Sequence, residues 1–203
     1  MPTTLPDRLR LPLSFDPALL VRDLQGLAAV EWTEHFVKQN YQGDWAVIPL
    51  RGPAGATHPV MMIYADPTVT QYADTPMLRA CPYFRDVLDA FACPLQAVRL
   101  MRLTSGSRIN EHRDHELSVE EGTVRIHIPV ATNDGVVFVL NGTRVTMAAG
   151  SAWYLRLSDP HSVTNAGPSD RVHLVIDAVA NDWIRRMLEI SAAAAAAASQ
   201  SAG

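Results

Sequence analysis

Residues 123–156 read TVRIHIPVATNDGVVFVLNGTRVTMAAGSAWYLR. Short runs rich in Val, Ile, Tyr and Phe alternate here with turn residues, the pattern of successive strands. Asn141-Gly142 separates VVFVL from TRVTM and marks a two-residue hairpin. Gly150 closes a second turn before SAWYL. The same texture continues on both sides. It predicts strands over 96–104, 123–131, 136–140, 143–147, 151–156 and 171–179, spaced as in a sandwich or barrel.

Upstream, RLRLPLSF (8–15) and WAVIPLR (45–51) also read as strands. Asp16 followed by Pro17 supplies an N-cap and a first-turn proline for a helix over 16–30. Phe84, Val87, Leu88 and Phe91 recur at helical spacing and predict an amphipathic helix over 83–92. Residues 52–80 read as loop. Asn181 caps a final helix over 182–190. The expected organisation is one domain over 1–190, with its core at 95–180. An Ala-rich tail over 191–203 would follow, without chemistry and helical in part.

The chain has 203 residues, 48% hydrophobic and 19% charged, enough apolar content for a full core. The net charge of -4 argues against a nucleic-acid partner or a polybasic membrane surface. Cys81 and Cys93 cannot build a disulfide framework or a thiolate zinc site. Reduced thiols, an N-terminus without signal-peptide shape and no long apolar run together predict a cytoplasmic protein.

Four groups of residues carry chemical potential. His112-Arg113-Asp114, on a strand or its end, places an imidazole and a carboxylate on one face; alone it reads equally as a surface turn. His161, in Asp159-Pro160-His161, can add a second imidazole. Two histidines and one carboxylate form the facial triad of non-haem iron sites. Arg171 opens the apolar strand RVHLVIDAV, where a buried guanidinium needs an anion. Finally, Val124-Arg125-Ile126-His127-Ile128 matches Asp170-Arg171-Val172-His173-Leu174. Each places Arg and His on one strand face and apolar residues on the other, as around a polar lumen.

The segment Arg99–Asp177 resembles the aspartyl/asparaginyl β-hydroxylase family, which includes the L-proline cis-hydroxylases. The matching text is RLMRLTSGSRINEHRDHE, VRIHIPVATND, GSAWYLRLSDPHSVTN and DRVHLVIDAV. GDWAVIPLR extends the likeness more faintly upstream. The order HRD, RxH, DPH and an arginine ten residues beyond the second histidine is the specific part. The resemblance implies a mainly β (α+β) fold, a double-stranded β-helix or jelly-roll core with flanking N-terminal and C-terminal helices. It implies an Fe(II)- and 2-oxoglutarate-dependent dioxygenase that hydroxylates an amino acid, using O2 and releasing succinate.

Carried over, His112, Asp114 and His161 would bind iron. Arg171 would hold the distal carboxylate of 2-oxoglutarate, and Arg125 and His127 would contact the co-substrate region. Peptide-hydroxylating members place a serine on the strand before HxD; Met101 stands there instead. Arg102, Arg113, His115, Trp45 and Arg51 are candidates for the substrate, and Asn165 is either a co-substrate donor or a turn residue. Trp153 and Tyr154 alternate, so only one can face a lumen. Small size favours a free amino acid or other small substrate. The alternatives are aspartyl/asparaginyl hydroxylation in a peptide or protein, and a cupin-type metal protein without 2-oxoglutarate.

Overall fold

The computed structural model describes residues 5–63 and 68–201. Residues 1–4 of the N-terminal segment, 64–67 of the loop-rich stretch and 202–203 of the tail lie outside it. In chain order the first half contains β1 (Arg8–Ser14), α1 (Pro17–Gly26), β2 (Thr33–Glu34), β3 (Tyr41–Gln42), β4 (Trp45–Pro53) and α2 (Pro59–Ile63). It continues with β5 (Tyr72–Asp74), α3 (Pro76–Arg79) and α4 (Pro82–Asp89). The second half contains β6 (Leu95–Leu103), β7 (Arg108–His112), β8 (Thr123–Ala131), β9 (Val136–Leu140) and β10 (Thr143–Val145). It ends with β11 (Ser151–Leu155), β12 (His161–Asn165), β13 (Arg171–Val179) and α5 (Asp182–Ser201).

The strands form two antiparallel sheets facing each other, a jelly-roll core. The larger has eight strands in the order β1-β11-β8-β13-β6-β4-β2, with β5 paired to β4. The smaller has five, β10-β9-β12-β7-β3. The expected hairpin joins β9 to β10, with Thr143 opposite Leu140. Asn141 and Gly142 both lie at positive φ, 48° and 70°, as a two-residue turn that matches strand twist requires.

Both faces of the large sheet are covered. Ile48, Leu100, Ile126, Leu174 and Ile176 pack on the side of α1, α4 and α5, in one apolar cluster. Val47, Met101, Leu103 and Val175 point the other way, with residues of the small sheet such as Phe138 and Val163. Trp153 packs with this second cluster and Tyr154 with the first, so the alternation assigns Trp153 to the lumen side.

The helices follow from their termini. The Asp16 carboxylate accepts from the Ala18 amide at 2.8 Å, and Pro17 occupies the first turn of α1. α4 has no side-chain cap of its own. Buried Asp23 of α1 supplies it, accepting from the Tyr83 and Phe84 amides at 2.6 and 2.9 Å. At α5 the Asn181 side-chain oxygen Oδ1 accepts from the Ile184 amide at 3.1 Å.

Some expected boundaries change. α1 stops at Gly26 rather than at residue 30, and residues 52–80 contain α2, β5 and α3. α5 continues into the Ala-rich segment because alanine is the best helix former, although residues 193–200 are exposed. β7 and β12 are additional strands, and they carry the site. Among the described residues, no helix is long and apolar enough to cross a membrane.

Candidate active site

A cavity of about 360 Å³ opens between the two sheets. Its walls include His112, Asp114 and His161, together with Arg99, Arg125, His127 and Arg171. Met101, Ile109, Phe138, Leu157 and Val163 supply apolar surface. Trp45, His35, Arg113 and His115 complete part of the rim.

β7 ends at His112 and β12 begins at His161, and the antiparallel register sets these two residues opposite each other. The chain after β7 is pinned where the Asp114 amide donates to the Leu157 carbonyl at 2.9 Å. One ligand atom from each of His112, Asp114 and His161 then lies within 4.8 Å of the others. Both imidazoles are oriented from behind. Nδ1 of His112 lies 2.8 Å from the Asn110 carbonyl, and Nδ1 of His161 lies 3.0 Å from the Asp159 carbonyl. A carbonyl can only accept, so each ring donates from Nδ1, and Nε2 is the nitrogen left to face a metal. Burial, together with the neighbouring His112 and Arg125, brings His161 down to about 4 despite its own hydrogen bond and Asp114. It is therefore neutral near pH 7.

Behind the carboxylate lies a buried ion-pair cluster. Arg125 donates to Asp114 at 2.6 Å and grips Asp177 through a fork at 2.6 and 2.9 Å. Arg99 pairs with the same Asp177. Burial acts against the Asp177 charge, but Arg125 and Arg99 outweigh it and hold the carboxyl at about 2. The Arg125 partners here are thus two carboxylates of the chain itself.

Arg171 is different. It is 2% exposed, lines the cavity, and has no carboxylate partner among the described residues. Its Nη2 lies 2.8 Å from Nδ1 of His173, and its Nε has no hydrogen-bond partner. Burial alone pulls its pKa down to about 9, still cationic at neutral pH. His127 lies beside it, neutral because burial and then the charges of Arg171 and Arg125 suppress protonation, and its Nε2 is unpartnered.

The substrate candidates divide. Trp45, Arg113 and His115 reach the cavity; Arg51 and Arg102 do not. Arg102 neighbours Met101 on β6, so period two turns it away from the lumen. It lies over the Trp32 ring at 4.7 Å and pairs with Asp44 at 3.0 Å. Arg51 follows a register shift in β4 and bonds Asp74 and the carbonyls of Leu95 and Tyr72. Asn165 closes β12 and its side chain is spent on the chain itself. Its Nδ2 donates to the carbonyls of Leu103 and Ser169, and its Oδ1 accepts from Asn133 and Gly167.

Residues 20–181 match the family described as aspartyl/asparaginyl beta-hydroxylase. The chain belongs to the aspartyl/asparaginyl β-hydroxylase family. Among curated proteins, the L-proline cis-4-hydroxylase of Rhizobium meliloti (strain 1021) is 26% identical over 168 residues, covering 81% of this chain. The chain spans 58% of the length of that relative. Two solved structures share the fold of this hydroxylase-family chain. An oxidoreductase of the 2OG-Fe(II) oxygenase family from Burkholderia pseudomallei gives a TM-score of 0.54 at 16% identity, covering 87% of this chain and 86% of its own. HygX from Streptomyces hygroscopicus, solved with nickel and 2-oxoglutarate bound, gives 0.53 at 10% identity, covering 87% and 84%.

Four residues of this neighbourhood were not assigned a role from sequence: Arg99, His173, Asp177 and His35. Arg99 and Asp177 had a usable signal, since each is a charge on an otherwise apolar strand and each must find a partner when buried. His173 stood in the duplicated Arg-x-His pattern. His35, stacked on Trp45 with centroids 3.6 Å apart, lies on the polar segment after β2 and had none.

Proposed function

We propose that this chain is an Fe(II)- and 2-oxoglutarate-dependent dioxygenase that hydroxylates a free amino acid. The observation that carries this reading is Arg171, a buried cation without a counter-anion among the described residues, on the wall that also presents His112, Asp114 and His161.

The donor set fits iron. Two imidazoles and one carboxylate are the ligands of a facial site that leaves positions open for other groups. The charge balance fits a dicarboxylate. Arg99, Arg125 and Arg171 bring three buried positive charges, while Asp177 is buried and Asp114 partly so. A cavity with this surplus favours anionic ligands. When bound, iron with 2-oxoglutarate and O2 would supply an oxidant for an unactivated C–H bond, one oxygen atom going to the hydroxylated product and the other to succinate, with carbon dioxide released.

The chain's own residues do the positioning. His112 and His161 would offer Nε2, and Asp114 one carboxylate oxygen, with Arg125 holding the other. Arg171 would receive the distal carboxylate of 2-oxoglutarate as a charge-assisted hydrogen bond. The apolar surface of Ile109, Phe138, Leu157 and Val163 would keep water from the reacting atoms. The amino-acid carboxylate would meet the side chains of Arg99 and Trp45 on the same wall, whose Nε and Nε1 have no partner among the described residues. The named relative, an L-proline hydroxylase, supports an amino acid as substrate.

The test is succinate release from Fe(II)-reconstituted protein supplied with 2-oxoglutarate, O2 and a panel of free amino acids, including L-proline, beside short peptides. The expected result is succinate formed with one oxygenated free amino acid. Oxygenation of a peptide alone would move the reading to side chains in polypeptides. No succinate with any of them would favour the cupin-type alternative.

A further inference from the structure

We propose that His173 is a positioning residue that aims Arg171 into the cavity without neutralising it; this rests on the reading of Arg171 as the co-substrate clamp. A guanidinium has five N–H donors and no acceptor, so at 2.8 Å from Arg171 Nη2 the His173 Nδ1 must accept. The His173 ring is therefore uncharged and protonated on Nε2. Its Nδ1 also lies 3.3 Å from Nδ1 of His127. With the proton of His127 on Nδ1, Arg171 and the His127 ring both donate to that one acceptor atom, and no anion is added.

The surroundings hold this geometry in place. His173 is 1% exposed on β13, opposite Met101 of β6 and Pro129 of β8. With strands on either side, the ring cannot swing out to water. The contrast with Arg125 gives the reason for the residue type. Arg125 is bound by Asp114 and Asp177, and its charge is met within the protein. A carboxylate at position 173 would do the same to Arg171 and compete with an incoming carboxylate. An apolar residue would leave the guanidinium without orientation. A neutral acceptor fixes one edge of Arg171 and leaves its charge for a ligand.

The experiment compares three variants with the wild type: His173→Asn, whose side-chain oxygen can replace Nδ1, His173→Asp of nearly the same shape, and His173→Leu. Each is loaded with Mn(II) and titrated with 2-oxoglutarate by calorimetry. The Asn variant should keep the wild-type affinity within about threefold, and the Asp and Leu variants should lose roughly 10- to 100-fold. Mn(II) affinity should not change. In turnover, the loss should fall on the KM for 2-oxoglutarate rather than on kcat. An Asp variant that binds 2-oxoglutarate as tightly as the Asn variant would overturn the proposal. Wild-type protein that binds Mn(II) but no 2-oxoglutarate would instead overturn the co-substrate reading beneath it. Nitrogen-15 NMR of the wild-type His173 ring decides the case even if every variant misfolds. The Nε2–H tautomer is expected; an Nδ1–H tautomer or an imidazolium would overturn the proposal.

Discussion

The two faces of the eight-stranded sheet are buried to similar depth, but only one of them buries charge. On the helix side Ile48, Leu100, Ile126, Leu174 and Ile176 are fully covered, each at 0% exposure. On the lumen side of the same strands lie Arg99, Arg125, His127, Arg171, His173 and Asp177, none more than 8% exposed. Period-two alternation alone separates these sets. The difference teaches that stability and chemistry are divided across one layer. The helix-side face buries apolar groups without charge, and its folding free energy helps offset the charges held on the other face.

Breaking the lumen face at its ligands should abolish function and spare the fold. His161→Ala is expected to lose metal binding and turnover while far-ultraviolet circular dichroism stays that of the wild type. Full turnover with saturating iron would remove His161 from the site. Breaking the opposite face should do the reverse. Leu174→Ala leaves a cavity against the helices and should lower stability by about 2–5 kcal/mol in denaturant titrations. 2-Oxoglutarate affinity of the remaining folded protein should not change. A large loss of affinity there would mean that the two faces are not separable.

Arg171→Met sharpens the contrast, because the two faces then respond in opposite directions. Losing a charge-assisted hydrogen bond to a buried group should weaken 2-oxoglutarate by about 2–4 kcal/mol, with metal still bound. The ligand-free protein should become more stable, since an uncompensated buried charge is replaced by an apolar chain. A destabilised variant would show that Arg171 has a structural anion partner after all.

The buried imidazoles predict a pH dependence of the metal-free protein. Burial first, with nearby cations, holds His127, His161 and His173 below the ordinary value of 6.5 in the folded state. As pH falls, the unfolded chain takes up these protons before the folded one. Their contribution is therefore complete above about pH 6.5 and is lost below it, by up to about 1.4 kcal/mol per pH unit for each ring. Denaturant titrations across this range check the slope, and stability that does not fall between about pH 7 and about pH 5 would contradict it. The smallest expected effect is at the rim. Trp45→Phe keeps the ring and removes its donor, and should raise the KM of the amino acid by roughly 3- to 10-fold with kcat retained.

Much of this division was legible in the chain. VRIHI and DRVHL show charge and imidazole alternating with aliphatic residues, and Asn141-Gly142 announced its hairpin by chemistry that few other dipeptides share. The candidate ligand residues were legible as a spacing, but not the means by which they meet. RINEH and HSVTN are short and largely polar, with too little hydrophobic alternation to read as strands, yet their register sets His112 opposite His161. Tertiary pairing decides such segments, not propensity. The same limit hid the partners of Arg125. That Asp177 lies opposite it follows from the pairing of β8 with β13, 52 residues apart in sequence.

The central claim is that the lumen holds a metal and an anionic keto acid together. Anaerobic titration of the Fe(II)-loaded protein with 2-oxoglutarate tests it most directly, followed by the weak visible charge-transfer absorption of an iron–keto-acid chelate. The account predicts a saturable band for the wild type and none for Arg171→Met at the same concentrations. Iron bound at the triad with no band at any 2-oxoglutarate concentration would contradict it.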